Sequence, residues 1–137
     1  MSRSIKAVEY CYVTVPDVPG AACEILKGLA TSGVNLQAFH VIPGPSDATR
    51  LALFPVDMDR MRRALDADEH DLSAPQRALL IQGDDELGVL VEIHRRLYDA
   101  GINIASSSGL TDGKMGYGYL VYLRPQDVDR ALLVLEA

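Results

Sequence analysis

The 137-residue sequence predicts an α+β fold built from two similar units in tandem. The first observation is a repeat, because VPDVPGAACEILKGLATSGVNL at residues 15–36 is matched by GDDELGVLVEIHRRLYDAGINI at residues 83–104. The second is the order in which strand-like and helix-like runs alternate within each copy. The third is composition, since 48% of the residues are hydrophobic, which indicates an ordered chain with a substantial core.

The two copies align without a gap, in a single register that matches Asp17 with Asp85. In both, an acidic residue precedes a glycine, a helix-length amphipathic run follows, and glycine, a β-branched residue, asparagine and an aliphatic residue close the motif. Such repetition indicates two related units, which we expect over residues 1–74 and 75–137. The matched pairs are Asp17 and Asp85, Gly20 and Gly88, Glu24 and Glu92, Ile25 and Ile93, Leu29 and Leu97, Gly33 and Gly101, Val34 and Ile102, Asn35 and Asn103, and Leu36 and Ile104.

Each copy begins with a predicted strand followed by a predicted helix. Residues 7–15, AVEYCYVTV, are rich in β-branched and aromatic side chains, and RALLIQ at residues 77–82 holds the same place in the second copy. Glycines 33 and 101 are expected to end the helices in the left-handed conformation. The apolar stripes at helical spacing are Ala22, Ile25, Leu26 and Leu29 in the first helix, and Leu90, Ile93 and Leu97 in its counterpart.

Two further strands and a helix complete each copy. Residues 34–42 and 102–110 form the second strand, a Gly/Pro/Asp-rich turn follows, and residues 50–56 and 117–123 form the third strand. The closing helices carry Met58, Met61 and Leu65 in one copy, and Val128, Ala131, Leu132 and Leu135 in the other.

The order β-α-β-β-α therefore occurs twice. A short strand near residues 71–74 would complete the βαββαβ unit of ferredoxin-like folds, with antiparallel sheets and helices on one face. The second copy reaches Ala137 without its last strand, and the open position is expected to pair with another edge, in the same chain or another. The two-faced apolar strands favour pairing of the repeats within the chain and a homodimer.

Charge and cysteine usage exclude several classes of function. The net charge of −6 argues against a nucleic-acid partner, since phosphate contacts need clustered Lys and Arg. No apolar run is long enough to span a membrane, and the N-terminal stretch MSRSIKAVEY lacks a signal-peptide core, so we expect a cytoplasmic location without membrane association. Cys11 and Cys23 lack CxxC spacing and are expected to be small core residues.

No catalytic constellation is visible, so the sequence does not predict an enzyme. The chain has no GxSxG elbow, no GxxxxGK[ST] loop and no GxGxxG motif, and we expect no cofactor. His40, His70 and His94 lack metal-ligand spacing, so no metal site is predicted. His94 occupies the place of Leu26 on the helix stripe, and we expect it to be partly buried and hydrogen-bonded.

An acidic residue, then PG, an amphipathic helix and GVNL or GINI, set in a βαββαβ frame, resembles the ACT domain. ACT domains are small regulatory modules that bind amino acids and related metabolites. The resemblance covers nearly the whole chain and implies a free-standing tandem ACT protein with no catalytic domain attached. Leu87 stands where the family usually has proline, so we expect the second loop to be less fixed before a ligand binds.

The loop before each first helix has the chemistry of an anion site. Backbone N–H groups at a helix start point outward with partial positive charge, which suits a carboxylate. Each aspartate could accept from an ammonium group or only cap the helix, each glycine could serve only tight packing, and each asparagine could be only a left-handed turn residue. The resemblance implies a ligand held at an interface between units, by Asp17, Val18, Gly20, Ala21, Asn35 and Leu36 in one copy and by Asp85, Leu87, Gly88, Val89, Asn103 and Ile104 in the other.

Two functions follow as expectations. The first is a sensor in which an amino acid or related metabolite binds at these interfaces and regulates metabolism allosterically. The second is a regulatory or scaffold subunit that grips a larger metabolic enzyme without any ligand. The second copy has the roomier surroundings, with three hydroxyl groups at residues 106–108, although a plain polar strand face explains these serines equally well.

Overall fold

A computed structural model describes residues 3–136, and Met1, Ser2 and Ala137 lie outside the described residues. Within that range the chain forms six strands and four α-helices, which confirms the predicted α+β class. No helix of this range is long and apolar enough to cross a bilayer. The elements are β1 (Arg3–Pro16), α1 (Ala21–Thr31), β2 (Leu36–Pro43), β3 (Ala48–Pro55), α2 (Met58–Ala67), β4 (Gln76–Asp84), α3 (Val89–Asp99), β5 (Ser106–Thr111), β6 (Gly116–Tyr122), a short 3-10 helix (Pro125–Asp127) and α4 (Val128–Glu136).

The chain divides into two compact units. The first unit contains Glu9–Gln76, and the second unit contains the described residues 3–8 together with 77–136. Strand β1 therefore contributes its first part, up to Val8, to the second unit and the rest to the first. The division into residues 1–74 and 75–137 stays a prediction.

In the first unit the strands follow the order β2-β3-β1 with antiparallel pairing. The short strand expected near residues 71–74 is reduced to one antiparallel bridge between Val13 and Leu72. Both helices share one core with alternate residues of the strands, which the amphipathic patterns require. The buried members of this core are Cys11, Val13, Val15, Ile25, Leu29, Val34, Leu51, Leu53, Met61 and Leu65.

In the second unit the strand order is β1-β4-β6-β5, in which the first part of β1 lies beside β4. That part of β1 occupies the position beside β4 that a closing strand of the second copy would take. Strand β5 is at the edge, and all of its side chains are exposed. The buried members of this core are Leu79, Ile81, Ile93, Leu97, Ile102, Tyr117, Tyr119, Val121, Leu123, Val128, Ala131 and Leu135.

The same backbone contacts occur at matching positions of the repeat in both units. In each unit, a carbonyl near the C-terminal end of the first helix of the repeat accepts a hydrogen bond from the residue that follows the helix-ending glycine. The aspartate that opens each loop donates its N–H to a carbonyl in the hairpin turn. The paired hydrogen bonds are Val34 N–H to Leu29 carbonyl (2.9 Å) and Ile102 N–H to Leu97 carbonyl (2.9 Å), and Asp17 N–H to Asp47 carbonyl (3.0 Å) and Asp85 N–H to Met115 carbonyl (2.7 Å).

Three expectations about side chains and boundaries are wrong. Leu90 is 41% exposed, because the buried stripe of α3 runs through Ile93 and Leu97 and Leu90 lies at its edge in the first turn. Cys23 is exposed, since it lies on the side of α1 opposite the buried Ile25. The second strand of the second copy begins at residue 106 and not at 102.

Removing a core side chain of the second unit should destabilise the protein strongly. Ile93 is fully buried in the core, so Ile93→Ala leaves a cavity and should lower the free energy of unfolding by about 3 kcal/mol in urea denaturation. Leu133→Ala on the exposed face of α4 is the matched control and should change it by less than about 0.5 kcal/mol. Equal effects of the two substitutions would contradict the core assignment.

Replacing Tyr117 by phenylalanine should stabilise the protein. The Tyr117 hydroxyl is buried and has no hydrogen-bond partner among residues 3–136, so Tyr117→Phe should raise the free energy of unfolding by about 1 kcal/mol. Burial also raises the pKa of Tyr117 above its ordinary value of 10.0. Wild type therefore binds this proton more tightly when folded and should lose stability as pH rises above about 10. The gain from the substitution should accordingly grow in denaturation curves at pH 10 to 11, and a gain that shrinks there would contradict this account.

Candidate functional site

The loop between β1 and α1 presents backbone donors to solvent. Helix α1 begins after Gly20, which has a φ of 89° and offers no side chain to cap the helix. The N–H of Ala21 donates to the carbonyl of Val18 (3.3 Å). Within the described chain, the N–H groups of Gly20, Ala22 and Cys23 have no hydrogen-bond partner. These donors are therefore open to water or to a ligand.

The loop between β4 and α3 has the same construction. Gly88 precedes α3 with a φ of 83°, and again no side chain caps the helix. The N–H of Val89 donates to the carbonyl of Glu86 (3.1 Å), and the Leu87 side chain is fully exposed. The loop thus keeps the glycine conformation of its counterpart without the proline. Within the described residues it lacks two hydrogen bonds of the first loop, from the N–H of Val18 to the carbonyl of Pro16 (2.9 Å) and from the hydroxyl of Thr49 to Asp17 (3.3 Å). The less fixed second loop stays a prediction.

Neither aspartate is a helix cap, which excludes one of the open alternatives. The residues that begin the helices are the glycines, and Asp17 instead accepts a hydrogen bond at Oδ1 from the hydroxyl of Thr49 (3.3 Å). Tight packing around the glycines is also excluded, because a Cβ added at Gly20 or Gly88 would meet no atom within 4 Å. The positive φ, which strains any residue with a side chain, is what requires glycine there.

The asparagines are exposed, and neither has a positive φ, so the left-handed turn alternative is wrong for both. The carbonyl of Asn35 accepts from the N–H of Val56 (2.9 Å). Leu36 and Ile104 are half-buried, with Leu36 opening β2 and Ile104 lying just before β5. The asparagine amide groups are therefore available to a ligand.

The structure brings together only part of the predicted set in one groove. An open groove of 420 Å³ in the second unit is lined by Asn103 and Ile104, whereas Asp85, Leu87 and Gly88 do not line it. The remaining lining residues are His94, Leu97, Tyr98, Ile102, Ser106 and Ser107.

A chain of three side chains in the second unit is absent from the predicted set. The hydroxyl of Tyr119 lies 2.7 Å from Nε2 of His94 and 2.8 Å from the hydroxyl oxygen of Ser107, within hydrogen-bonding distance of both. Tyr119 is only 4% exposed. His94 was expected to be partly buried and hydrogen-bonded; its hydrogen bond is confirmed, but the residue is exposed. The run of three serines was the one sequence signal for this chain of side chains. Which serine contacts Tyr119 depends on the register of β5 against β6, which the sequence does not show.

The turn between β5 and β6 supports the second loop. Oδ1 of Asp112 accepts from the N–H of Lys114 (2.6 Å) and from the N–H of Gly116 (3.1 Å). The hydrogen bond from the N–H of Lys114, and to a smaller extent the one from the N–H of Gly116, holds the pKa of the Asp112 carboxyl below its usual value. The turn thus fixes Met115, whose carbonyl receives the N–H of Asp85 at the start of the loop.

No family model matches the sequence, and the search of curated proteins gives no match. Among residues 3–136, no group of three or more His, Cys, Asp or Glu side chains is arranged to hold a metal ion.

Solved structures do resemble this fold. Protein BT0572 from Bacteroides thetaiotaomicron is 18% identical with a TM-score of 0.82, and the match covers 96% of this chain and 88% of that one. The regulatory subunit of aspartate kinase from Thermus thermophilus, in its ligand-free form, is 15% identical with a TM-score of 0.66 over 98% and 94% of the two chains. The same subunit from Thermus flavus is 16% identical with a TM-score of 0.65 over 99% and 95%. The repeated loop-helix motif and this structural likeness together show that the chain has the fold of the ACT-domain proteins.

Proposed function

We propose that the protein is a cytoplasmic, non-catalytic sensor that binds an amino acid or related metabolite at interfaces between ACT units and regulates metabolism allosterically. The observation that carries the proposal is the pair of exposed helix starts at Gly20 and Gly88, where a glycine leaves the first N–H groups without a cap. Helix starts of this kind favour anions, and a carboxylate matches both their charge and their hydrogen-bonding capacity.

The second half of the ligand follows from the acidic residues. Asp17 and Asp85 are exposed and open the two loops, so each places a negative charge a few residues from the free N–H groups. An ammonium group and a carboxylate on one small molecule would satisfy both sets, which is the chemistry of a free amino acid. The likeness to aspartate kinase regulatory subunits supports a regulatory role for such binding.

A ligand at either loop needs a further ACT unit to cover it. The loop residues are exposed, so a bound amino acid would otherwise keep most of its surface in water, whereas small-molecule sites bury most of their ligand. We propose that a second copy of the chain supplies this cover, and that Asn35, Leu36, Asn103 and Ile104 contribute from the strand side of the sites.

The outer face of α3 supports association with a second copy. Val91 is 59% exposed and Tyr98 is 82% exposed, whereas the matching positions of α1 are Cys23 and Ala30. Arg95 and Asp99 flank this apolar face, and neither has an ion-pair partner within the described chain. Two α3 helices packed antiparallel about a two-fold axis would cover the apolar side chains and pair each Arg95 with Asp99 of the other copy.

The second candidate is a regulatory or scaffold subunit that binds a larger metabolic enzyme without a ligand. The same apolar face of α3 favours it, because a different protein could cover that face equally well. The two functions differ in one measurement, since only a sensor gains stability when an amino acid is added.

An amino-acid ligand should stabilise the folded protein. In a thermal-shift screen against the twenty amino acids, at least one should raise the melting temperature, with a gain of about 2.7 kcal/mol when the free ligand is about 100 times its Kd. Asp17→Asn and Asp85→Asn keep the loop shape but remove the charge that faces the ammonium group. Each should weaken binding at its own site by about 10- to 100-fold in calorimetry.

Asp71→Asn, an exposed aspartate outside both loops, is the matched control and should leave the affinity unchanged. A melting temperature that no amino acid moves, together with co-purification of a larger enzyme, would favour the scaffold function instead.

Charge exchange on α3 should control self-association. Arg95→Asp and Asp99→Arg each place like charges against each other in the antiparallel pair, so each should raise the dimer dissociation constant by about tenfold in sedimentation equilibrium. The double exchange restores opposite charges and should restore the wild-type constant.

Arg63→Asp makes the same change of net charge as Arg95→Asp, but on the exposed face of α2, and should have little effect. A dimer whose dissociation constant none of these substitutions changes would show that α3 is not the contact surface.

A further inference from the structure

The groove between α3 and β5 in the second unit combines an apolar floor with uncharged hydrogen-bonding groups. Leu97, Ile102 and Ile104 supply aliphatic surface, and Ser106 and Ser107 supply hydroxyl groups at one side. No Lys, Arg, Asp or Glu side chain is among its lining residues. A formal charge on a bound group would therefore meet no opposite charge there, which favours an uncharged group.

The three-residue chain through Tyr119 defines what its two ends can bind. If Nε2 of His94 donates to Tyr119 and Tyr119 donates to Ser107, then His94 Nδ1 is an acceptor and the Ser107 hydroxyl is a donor. If the chain runs the other way, Nδ1 is the donor and Ser107 Oγ is the acceptor. With a neutral imidazole, both directions leave one donor and one acceptor, and neither end has a further partner within residues 3–136.

One donor and one acceptor on an uncharged group is the pattern of a carboxamide. Its carbonyl oxygen accepts and its NH₂ group donates, so it can form a hydrogen bond with either end of the chain whichever way the protons run. A carboxylate of the same shape has only acceptors and carries a charge, so it can bind only to an end that donates. We propose that this groove receives the carboxamide side chain of an amino acid, asparagine or glutamine, an inference that rests on the proposed function.

The first unit lacks every member of this chain. At the matching positions of the repeat, Leu26 replaces His94, Leu51 replaces Tyr119 and Phe39 replaces Ser107. Leu51 is fully buried in the apolar core of that unit. The preference for a carboxamide therefore belongs to the second unit alone.

The test is a titration of the ¹⁵N-labelled full-length protein with L-glutamine and L-asparagine, and with L-glutamate and L-aspartate as charged isosteres. Glutamine or asparagine should shift the backbone signals of Asn103, Ser106 and Ser107 and bind about tenfold more tightly than its acidic counterpart. Tyr119→Phe interrupts the chain and should reduce that preference by about five- to tenfold.

Tyr117→Phe removes another hydroxyl from the same strand and should leave the preference intact. Should Tyr119→Phe fail to fold, Ser107→Ala on the exposed edge strand removes the other end of the chain and should have the same effect.

The outcomes separate the two proposals. Amino acids that bind with equal affinity for amide and acid, or a preference that survives both Tyr119→Phe and Ser107→Ala, would overturn this inference and leave the proposed function standing. Absence of binding by any amino acid would overturn the proposed function and this inference with it.

Discussion

Both candidate sites depend on the positive φ of the residue that begins α1 and α3. A residue with a side chain is strained in that conformation, and the glycine that tolerates it has no side chain with which to cap the helix. Glycine in this position costs only a few tenths of a kcal/mol relative to a capping serine or aspartate. As a consequence, the first N–H groups of each helix stay open to a ligand instead of forming hydrogen bonds within the chain.

The two units use one backbone frame for different side-chain chemistry. In the first unit the positions between helix and edge strand carry Leu26 and Phe39, with Leu51 buried in the core. In the second unit the buried strand position holds Tyr119, whose hydroxyl would cost stability if it were unpaired. His94 on α3 and Ser107 on the edge strand β5 provide its partners, and both are exposed, so the polar side chain of each still contacts water.

Local patterns predicted the helices and the register of the repeat, because the helical period and the strand alternation both reflect which faces are buried. They could not predict that β1 begins at Arg3 and serves both units, since that depends on a strand finding an edge that is distant in the sequence. Local patterns also did not predict the exposure of Leu90 or the contact between His94 and Tyr119, for the same reason. Both features depend on tertiary packing between residues that are far apart in the sequence, and local hydrophobic periodicity carries no information about such contacts.

The loop at Leu87 shows what fixes the shape of these sites. Its partner loop has a proline there, yet both loops place glycine at nearly the same φ and tie their first residue to the hairpin turn, through Asp47 in one unit and Met115 in the other. Proline at that position acts mainly by restricting the unfolded chain, so its absence changes stability more than folded geometry. The glycine and the contact with the turn therefore determine the shape of the donor cluster. The two loops therefore share the backbone of the helix start, and the side chains that differ, such as Val18 and Glu86 at matching positions, distinguish what the two units can bind.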